Sequence, residues 1–391
     1  MDRLIVASVR DHGPSTRTEI ARRAELSKST VTEHVQVLLR RRVLVERTHT
    51  LSGQRGRPAR VLDLPAGVGV SVALVLSHGE VIAQGPVQCA VVAVDGVASA
   101  YRLLPPGDRP ILRGVHELER MLADEGLGKA AVRCAVLGVP LPLDLSTGAD
   151  VAPVGPDNEV IASMAQLLGA RPHDALTRAF GVRAWLGNDA DLAALGEAGS
   201  GAGKGAADLA FLMCVNGGGV GIVRGGQLIT GGRVTAGETE HVQVEGGVAC
   251  VCGASSCSGD GEPRPLWARL HRWGIRPHSM EQLAADAEAR EPQTIEALRG
   301  FGEALGRGLS ALHLVFQPSV IVLEAQLGAA YPPLAAGLER AVSLSAPPWA
   351  RVPTKVALAQ AWPSSAICGA AAVALVPDRR STRGTREVPT H

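Results

Sequence analysis

Thirteen of the first sixty residues are Lys or Arg and six are Asp or Glu, a local excess of seven positive charges in a chain whose formal charge is only +1. The rest of the chain is therefore net acidic. Such a split by sequence position argues for a basic head joined to a separate acidic body, and a polyanion is the natural partner of the head. A length of 391 residues suits two or three domains.

The head carries a pattern as well as a charge. Thr16-Arg17-Thr18-Glu19 has the spacing of a capping box, in which each end residue satisfies an amide of the other. Ile20, Ala21 and Ala24 give the following helix an apolar face, Ala24-Glu25-Leu26 makes a short turn, and Ser27 is a good N-cap for a second helix. On that helix Val31, Val35, Leu38 and Leu39 recur at helical spacing, so one stripe is buried and the other face is free. The pair reads as a helix-turn-helix. Lys28, Ser29, Thr30, Thr32, Glu33 and Gln36 lie at or near the start of the second helix, the part of a recognition helix that enters the major groove. Arg17 on the first helix and Arg40, Arg41 and Arg42 at the end of the second add cations suited to phosphate oxygens.

Residues 43–47 and 59–64 flank a Gly-rich turn and read as a two-stranded wing. The turn holds Gln54-Arg55-Gly56-Arg57-Pro58. Arg55 and Arg57 on so narrow a loop suit an A·T-rich minor groove. A solvated hairpin turn and linker is the plainer alternative. Residues 1–64 are thus expected to form a winged helix-turn-helix DNA-binding domain.

Hydrophobic residues make up 46% of the chain and aromatics 3%, so the core of the body is built from Ala, Val and Leu in α/β layers. Apolar runs at 68–76, 87–94, 131–139, 207–215 and 320–323 read as strands. Residues 111–125 and 160–169 have helical periodicity, and one long helix is expected from about Pro292 to Phe316. A polar, charged tail over 377–391 is expected to be disordered. No stretch approaches eighteen apolar residues and charge begins at position 2 without a signal-peptide pattern, which predicts a cytoplasmic protein with no membrane partner.

Seven cysteines in that compartment are thiols or metal ligands rather than disulfides. His241, Cys250, Cys252 and Cys257 form an H-x8-C-x-C-x4-C run. Three thiolates and one imidazole fill a tetrahedral zinc shell, and a filled shell implies a structural Zn2+ rather than a catalytic one. Three ordinary thiols in a Gly-rich loop are the alternative. Cys89, Cys134, Cys214 and Cys368 lie in apolar runs and belong in the core.

Gly237-Glu238-Thr239-Glu240-His241 and the cysteine loop after it resemble the G-E-x-G-H and C-x-C-G-x-x-G-C signatures of the ROK family of repressors, open reading frames and sugar kinases. Gly138-Val139-Pro140, Asn188-Asp189-Ala190, Ala194-Leu195-Gly196-Glu197 and the run from Gln317 to Leu323 also look like landmarks of that family. Its repressor branch carries a winged helix ending in Gly-Arg-Pro, as at Gly56-Arg57-Pro58. The resemblance implies a two-lobed, actin-like ATPase fold over 65–376, with a sugar bound between the lobes. By carry-over, Asn188, Asp189, Glu238 and His241 would line the sugar site. Asp189 would be the base in a kinase, and His241 would also ligate zinc.

The phosphate-holding elements of the kinases are altered here. The D-x-G-x-T loop best matches Ser77-His78-Gly79-Glu80-Val81, the G-T-G-x-G-G-G loop corresponds to residues 215–221 without its Gly-Thr pair, and the late Gly-Gly is Glu324-Ala325. Phosphoryl transfer depends on positioning and neutralising the phosphates, so neither ATP binding nor enzymatic activity is expected. In the sugar motifs Glu240 and Ser256 stand for Gly, Asp191 for Asn and Gly259 for Glu. The sequence thus reads as a transcriptional repressor, a homodimer or higher homo-oligomer on a palindromic double-stranded DNA operator, with a sugar or sugar-phosphate effector. A ROK-type sugar kinase that uses ATP on a hexose, and a winged-helix module whose basic face meets a protein, are the alternatives. A vestigial cleft is the alternative for the sugar site.

Overall fold

The structure is a computed structural model and describes residues 1–40, 43–49, 59–63, 69–77, 85–93, 96–140, 172–215, 217–230, 236–243, 249–250, 254–257, 265–345, 347–351 and 354–374. The expected helix at 160–169, the tail, Arg41, Arg42, Arg55, Arg57 and Cys252 lie outside the described residues.

The head consists of α1 (Asp2–His12), α2 (Arg17–Arg23) and α3 (Lys28–Arg40) with an antiparallel ribbon of β1 (Val45–His49) and β2 (Ala59–Asp63). The capping box closes both ways: the Glu19 amide donates to Thr16 Oγ1 at 3.3 Å, and the Thr16 amide donates to the Glu19 carboxylate at 2.7 Å. That bond from the Thr16 amide is the main reason the Glu19 carboxyl sits below its usual range. Ser27 caps α3, taking the Thr30 amide at 3.1 Å. Ile20, Val31, Val35, Leu38, Leu44 and Leu62 form the head's core. Helix α1, which the pattern reading left unassigned, adds Ile5, Val6 and Val9 to it. Six residues separate β2 from the next strand.

The first lobe contains β3 (Val70–Leu76), β4 (Val87–Val92), β5 (Ala98–Leu104), α4 (Pro110–Asp124), β6 (Val132–Val139), α5 (Asp174–Phe180) and β7 (Ala184–Asn188). Its sheet runs in the order β5-β4-β3-β6-β7, antiparallel across the first three strands and parallel across the rest. Helix α6 (Asp189–Ser200) leads into the second lobe, where β8 (Asp208–Met213), β9 (Gly219–Arg224) and β10 (Gln227–Leu228) come first. Helices α7 (Pro265–Arg272), α8 (Met280–Glu288), α9 (Pro292–Gly308) and α10 (Ser310–Phe316) precede β11 (Val320–Leu323), α11 (Tyr331–Ser345), β12 (Lys355–Leu358) and α12 (Ser365–Ala374). The second sheet, β10-β9-β8-β11-β12, repeats the order and directions of the first.

The long helix expected from Pro292 to Phe316 is therefore two. Gly308 is a weak helix former, and the chain turns at Leu309, with φ −82° and ψ −3° and a side chain only 2% exposed.

Helices α6 and α12 lie between the sheets. Their core takes Ala73, Val75 and Val136 from one sheet and Phe211 and Val322 from the other. The helices cross at Gly196 and Gly369, where a Cβ would fall closer than 3.0 Å to the Ser365 and Leu192 carbonyl oxygens respectively. Each sheet's other face has its own core, with Leu118 and Leu122 of α4 on the first and Phe301 of α9 with Leu338 of α11 on the second. Glu197, fully buried near the end of α6, fastens the chain on both sides of it. Its carboxylate accepts the amides of Ala202 at 2.7 Å, Ala361 at 2.9 Å and Gln360 at 3.1 Å, and the Ser365 hydroxyl at 2.7 Å. Among the described residues no helix is long and apolar enough to cross a membrane.

Candidate functional site

In the head, Lys28, Ser29, Thr32, Glu33 and Gln36 are exposed on one side of α3, while Val31, Val35 and Leu38 are buried on the other. Thr30 is half-buried and its hydroxyl meets Ser27 Oγ at 2.7 Å, so it serves the cap. Thr32 donates back to the Lys28 carbonyl at 2.8 Å. Arg17 is half-buried and ion-paired with Glu46 of β1, which ties α2 to the ribbon. Lys28 stands on the first turn of a face with several hydroxyl and amide groups, a donor and acceptor set suited to phosphates and base edges.

In the body, β7 ends at Asn188 and α6 begins at Asp189. The Asn188 side-chain oxygen caps the helix by accepting the amides of Ala190 at 2.9 Å and Asp191 at 3.1 Å. Asp189 Oδ1 also takes the Ala190 amide at 2.9 Å, while its Oδ2 is buried with no hydrogen-bond partner. Burial raises the Asp189 carboxyl well above its usual range, and the charges of Glu324 and Glu238 add to the shift. Asp191 is pushed up to about 7 by burial and by Glu238, and Glu238 to about 7 by burial. Carboxyls whose protonated form is favoured by burial, beside others that stay charged, can both donate and accept hydrogen bonds, which is what hydroxyl-rich ligands require.

Glu238 is the N-cap of a short 3-10 turn, Thr239–His241, and His241 is its last residue. Burial lowers the His241 pKa and favours the neutral imidazole, the form that binds a metal. Its Nδ1 lies 3.3 Å from Cys250 Sγ, and the donor atoms of His241, Cys250 and Cys257 all lie within 4.8 Å of one another. Zinc–sulfur and zinc–nitrogen bonds of about 2.0–2.3 Å place tetrahedral donors roughly 3.3–3.8 Å apart; the His241–Cys250 pair already stands at that spacing, and the Cys257 thiol lies within 4.8 Å of both. Three of the four predicted ligands therefore converge. Among the other cysteines, Cys89, Cys214 and Cys368 are buried and Cys134 is half-buried. Burial pushes the Cys89 thiol up to about 12 and the Cys134 thiol to about 11, as for unreactive core residues.

Sequence reasoning did not find the role of Glu324. Its carboxylate is buried and accepts the amides of Cys214 at 2.7 Å and Val215 at 2.6 Å, where β8 gives way to the glycine-rich turn. The signal available was the loss of a glycine pair at 324–325; nothing local indicated where the new side chain would go.

The model of the ROK family matches residues 150–376. The DNA-binding transcriptional repressor Mlc of Escherichia coli K12 is 25% identical over 331 residues, 81% of this chain and 79% of that protein. A glucokinase of Halalkalibacterium halodurans is 40% identical over 101 residues, 25% of this chain, which spans 31% of that protein's length. A solved ROK family transcriptional regulator, a homologue of the Escherichia coli MLC protein, superposes with a TM-score of 0.69 at 18% identity, over 95% of this chain and 94% of its own.

Proposed function

The chain belongs to the ROK family, and from that premise we propose that it is a DNA-binding transcriptional repressor whose body senses a ligand and performs no phosphoryl transfer. The observation that carries the reading is the joining of a basic three-helix head, with a free polar face on α3, to a ROK body along a chain that matches a DNA-binding transcriptional repressor over 81% of its length. Residues 1–64 are the winged helix-turn-helix, and Lys28, Ser29, Thr32, Glu33 and Gln36 face the major groove, with Arg55 and Arg57 reaching the minor groove. A homodimer presents two such helices to half-sites about 34 Å apart, or a multiple of that. Such a protein works in the cytoplasm.

His241, Cys250 and Cys257, with Cys252, hold a structural Zn2+. The ion crosslinks the turn that carries Glu238 to the cysteine loop and so orders one wall of the cleft. The effector is a sugar or sugar phosphate, held by Asn188, Asp189, Glu238 and His241. It acts by binding one arrangement of the lobes better than the other, and coupling of about 1–3 kcal/mol changes operator affinity roughly 5- to 150-fold. The 101-residue match to a glucokinase favours the kinase as the second reading.

Selection on random duplex DNA with the purified protein, followed by titration at two salt concentrations, tests the proposal. A palindrome should be enriched. Weak, sequence-independent and salt-sensitive retention would sink it, and ATP consumption with a common hexose would establish the kinase instead.

A further inference from the structure

We propose that the turn after β8 is an oxyanion cradle whose ligand is supplied by the chain itself, the Glu324 carboxylate standing where a phosphate group would otherwise be held. Two consecutive backbone amides, those of Cys214 and Val215, converge on one oxygen of Glu324 at 2.7 and 2.6 Å. Paired main-chain amides at the exit of a strand into a glycine-rich turn are an anion-binding arrangement, and bonds this short are those of amides to a charged acceptor. The partner comes from more than a hundred residues away in sequence, yet Glu324 directly follows β11, the neighbour of β8 in the sheet. The strand pairing therefore delivers the carboxylate to the amides.

A second carboxylate closes the same turn farther along. Glu240 packs its carboxyl group on Gly218, where an added Cβ would fall closer than 3.0 Å to all three of the carboxyl atoms. An external polyphosphate would have to displace Glu324 from its amides and overcome the charge of Glu240. The turn keeps its anion-bound shape with no external ligand present, and the second lobe is held in one state regardless of nucleotide. Burial lifts Glu324 to about 7 while the two amides pull it down, so above neutrality the carboxylate form holds the cradle.

The proposal stands or falls independently of DNA binding by the head. It is tested on the full chain with magnesium tripolyphosphate, the Mg2+ offsetting the nearby Glu240 charge. Beyond any uptake by the basic head, which both proteins share, wild type should show no saturable site by calorimetry at pH 8, whereas Glu324→Ala should gain one with affinity at least about tenfold above the wild-type limit. Amide hydrogen exchange at residues 214 and 215 should accelerate at least about tenfold in Glu324→Ala and be slowed again by the tripolyphosphate. Equal uptake by both proteins would overturn the proposal, as would a folded Glu324→Ala that gains no uptake and keeps its 214 and 215 amides protected. If Glu324→Ala does not fold, Glu324→Gln, which keeps an oxygen able to accept both amides but loses the negative charge, must still speed exchange of these two amides at pH 8; unchanged exchange there overturns the idea equally.

Discussion

Replacing Glu197 by Ala removes a carboxylate with 0% exposure on which three backbone amides and a hydroxyl converge. The Ser365 hydroxyl can turn to another acceptor, but the amides of Ala202, Gln360 and Ala361 cannot. Leaving a buried donor unmade costs about 1–3 kcal/mol, so three of them amount to roughly 3–9 kcal/mol. Water entering the vacated space would bring the loss to the lower end, yet even that is a large part of the about 5–15 kcal/mol that holds a domain folded. Glu197→Gln should fall between the two, because its amide nitrogen would face the Ala202 and Gln360 donors with donors of its own while the remaining oxygen still accepts. Urea unfolding of wild type, Glu197→Gln and Glu197→Ala should give stabilities in that order, with the Ala variant at least about 3 kcal/mol below wild type. A Glu197→Ala loss under about 1 kcal/mol would mean that the carboxylate does not fasten α6 to the segment before α12.

Three further outcomes are expected. Cys257→Ser should lose bound zinc, measured by elemental analysis after dialysis, and full metal content would remove Cys257 from the ligand set. Lys28→Ala should weaken operator binding and lower the slope of log affinity against log salt by about one, whereas an unchanged slope would place phosphate contact elsewhere. Asp191 has its folded pKa raised to about 7 by burial and Glu238; its neutral form therefore stabilises the fold, a contribution fully present below about pH 4 and lost as pH rises through about 7. Asp191→Asn should accordingly flatten the fall in stability between pH 5 and 8, and an identical slope in both proteins would contradict the assigned burial.

What the sequence made legible was local or carried by motif. The capping box, the Ser27 cap and the buried stripe of α3 follow from spacing alone, and the cysteine spacing anticipated the convergence of His241, Cys250 and Cys257. Helix α1 was missed because its start has no capping side chain; Met1 stands at the N-cap. Strand β5 was missed because none of its residues is fully buried, so it lacks the apolar run by which β3, β4 and β6 stood out. The break at Leu309 was hidden by an apolar pattern that continues across it. The repeated strand order depends on pairings between distant segments, and so do the partners of Glu197 and Glu324. Composition and periodicity contain no term for such pairings.

The six residues between β2 and β3 set a leash on the head. Seven steps of at most about 3.6 Å let Asp63 stray no more than roughly 25 Å from Val70, less than the about 34 Å between adjacent half-sites. The anchorage is the middle strand of the first sheet, paired on both edges and mostly buried along its length. If the chain is the dimeric regulator proposed above, each head stays within that reach of its own first lobe, and the spacing of the two bodies limits how far apart two such heads can stand.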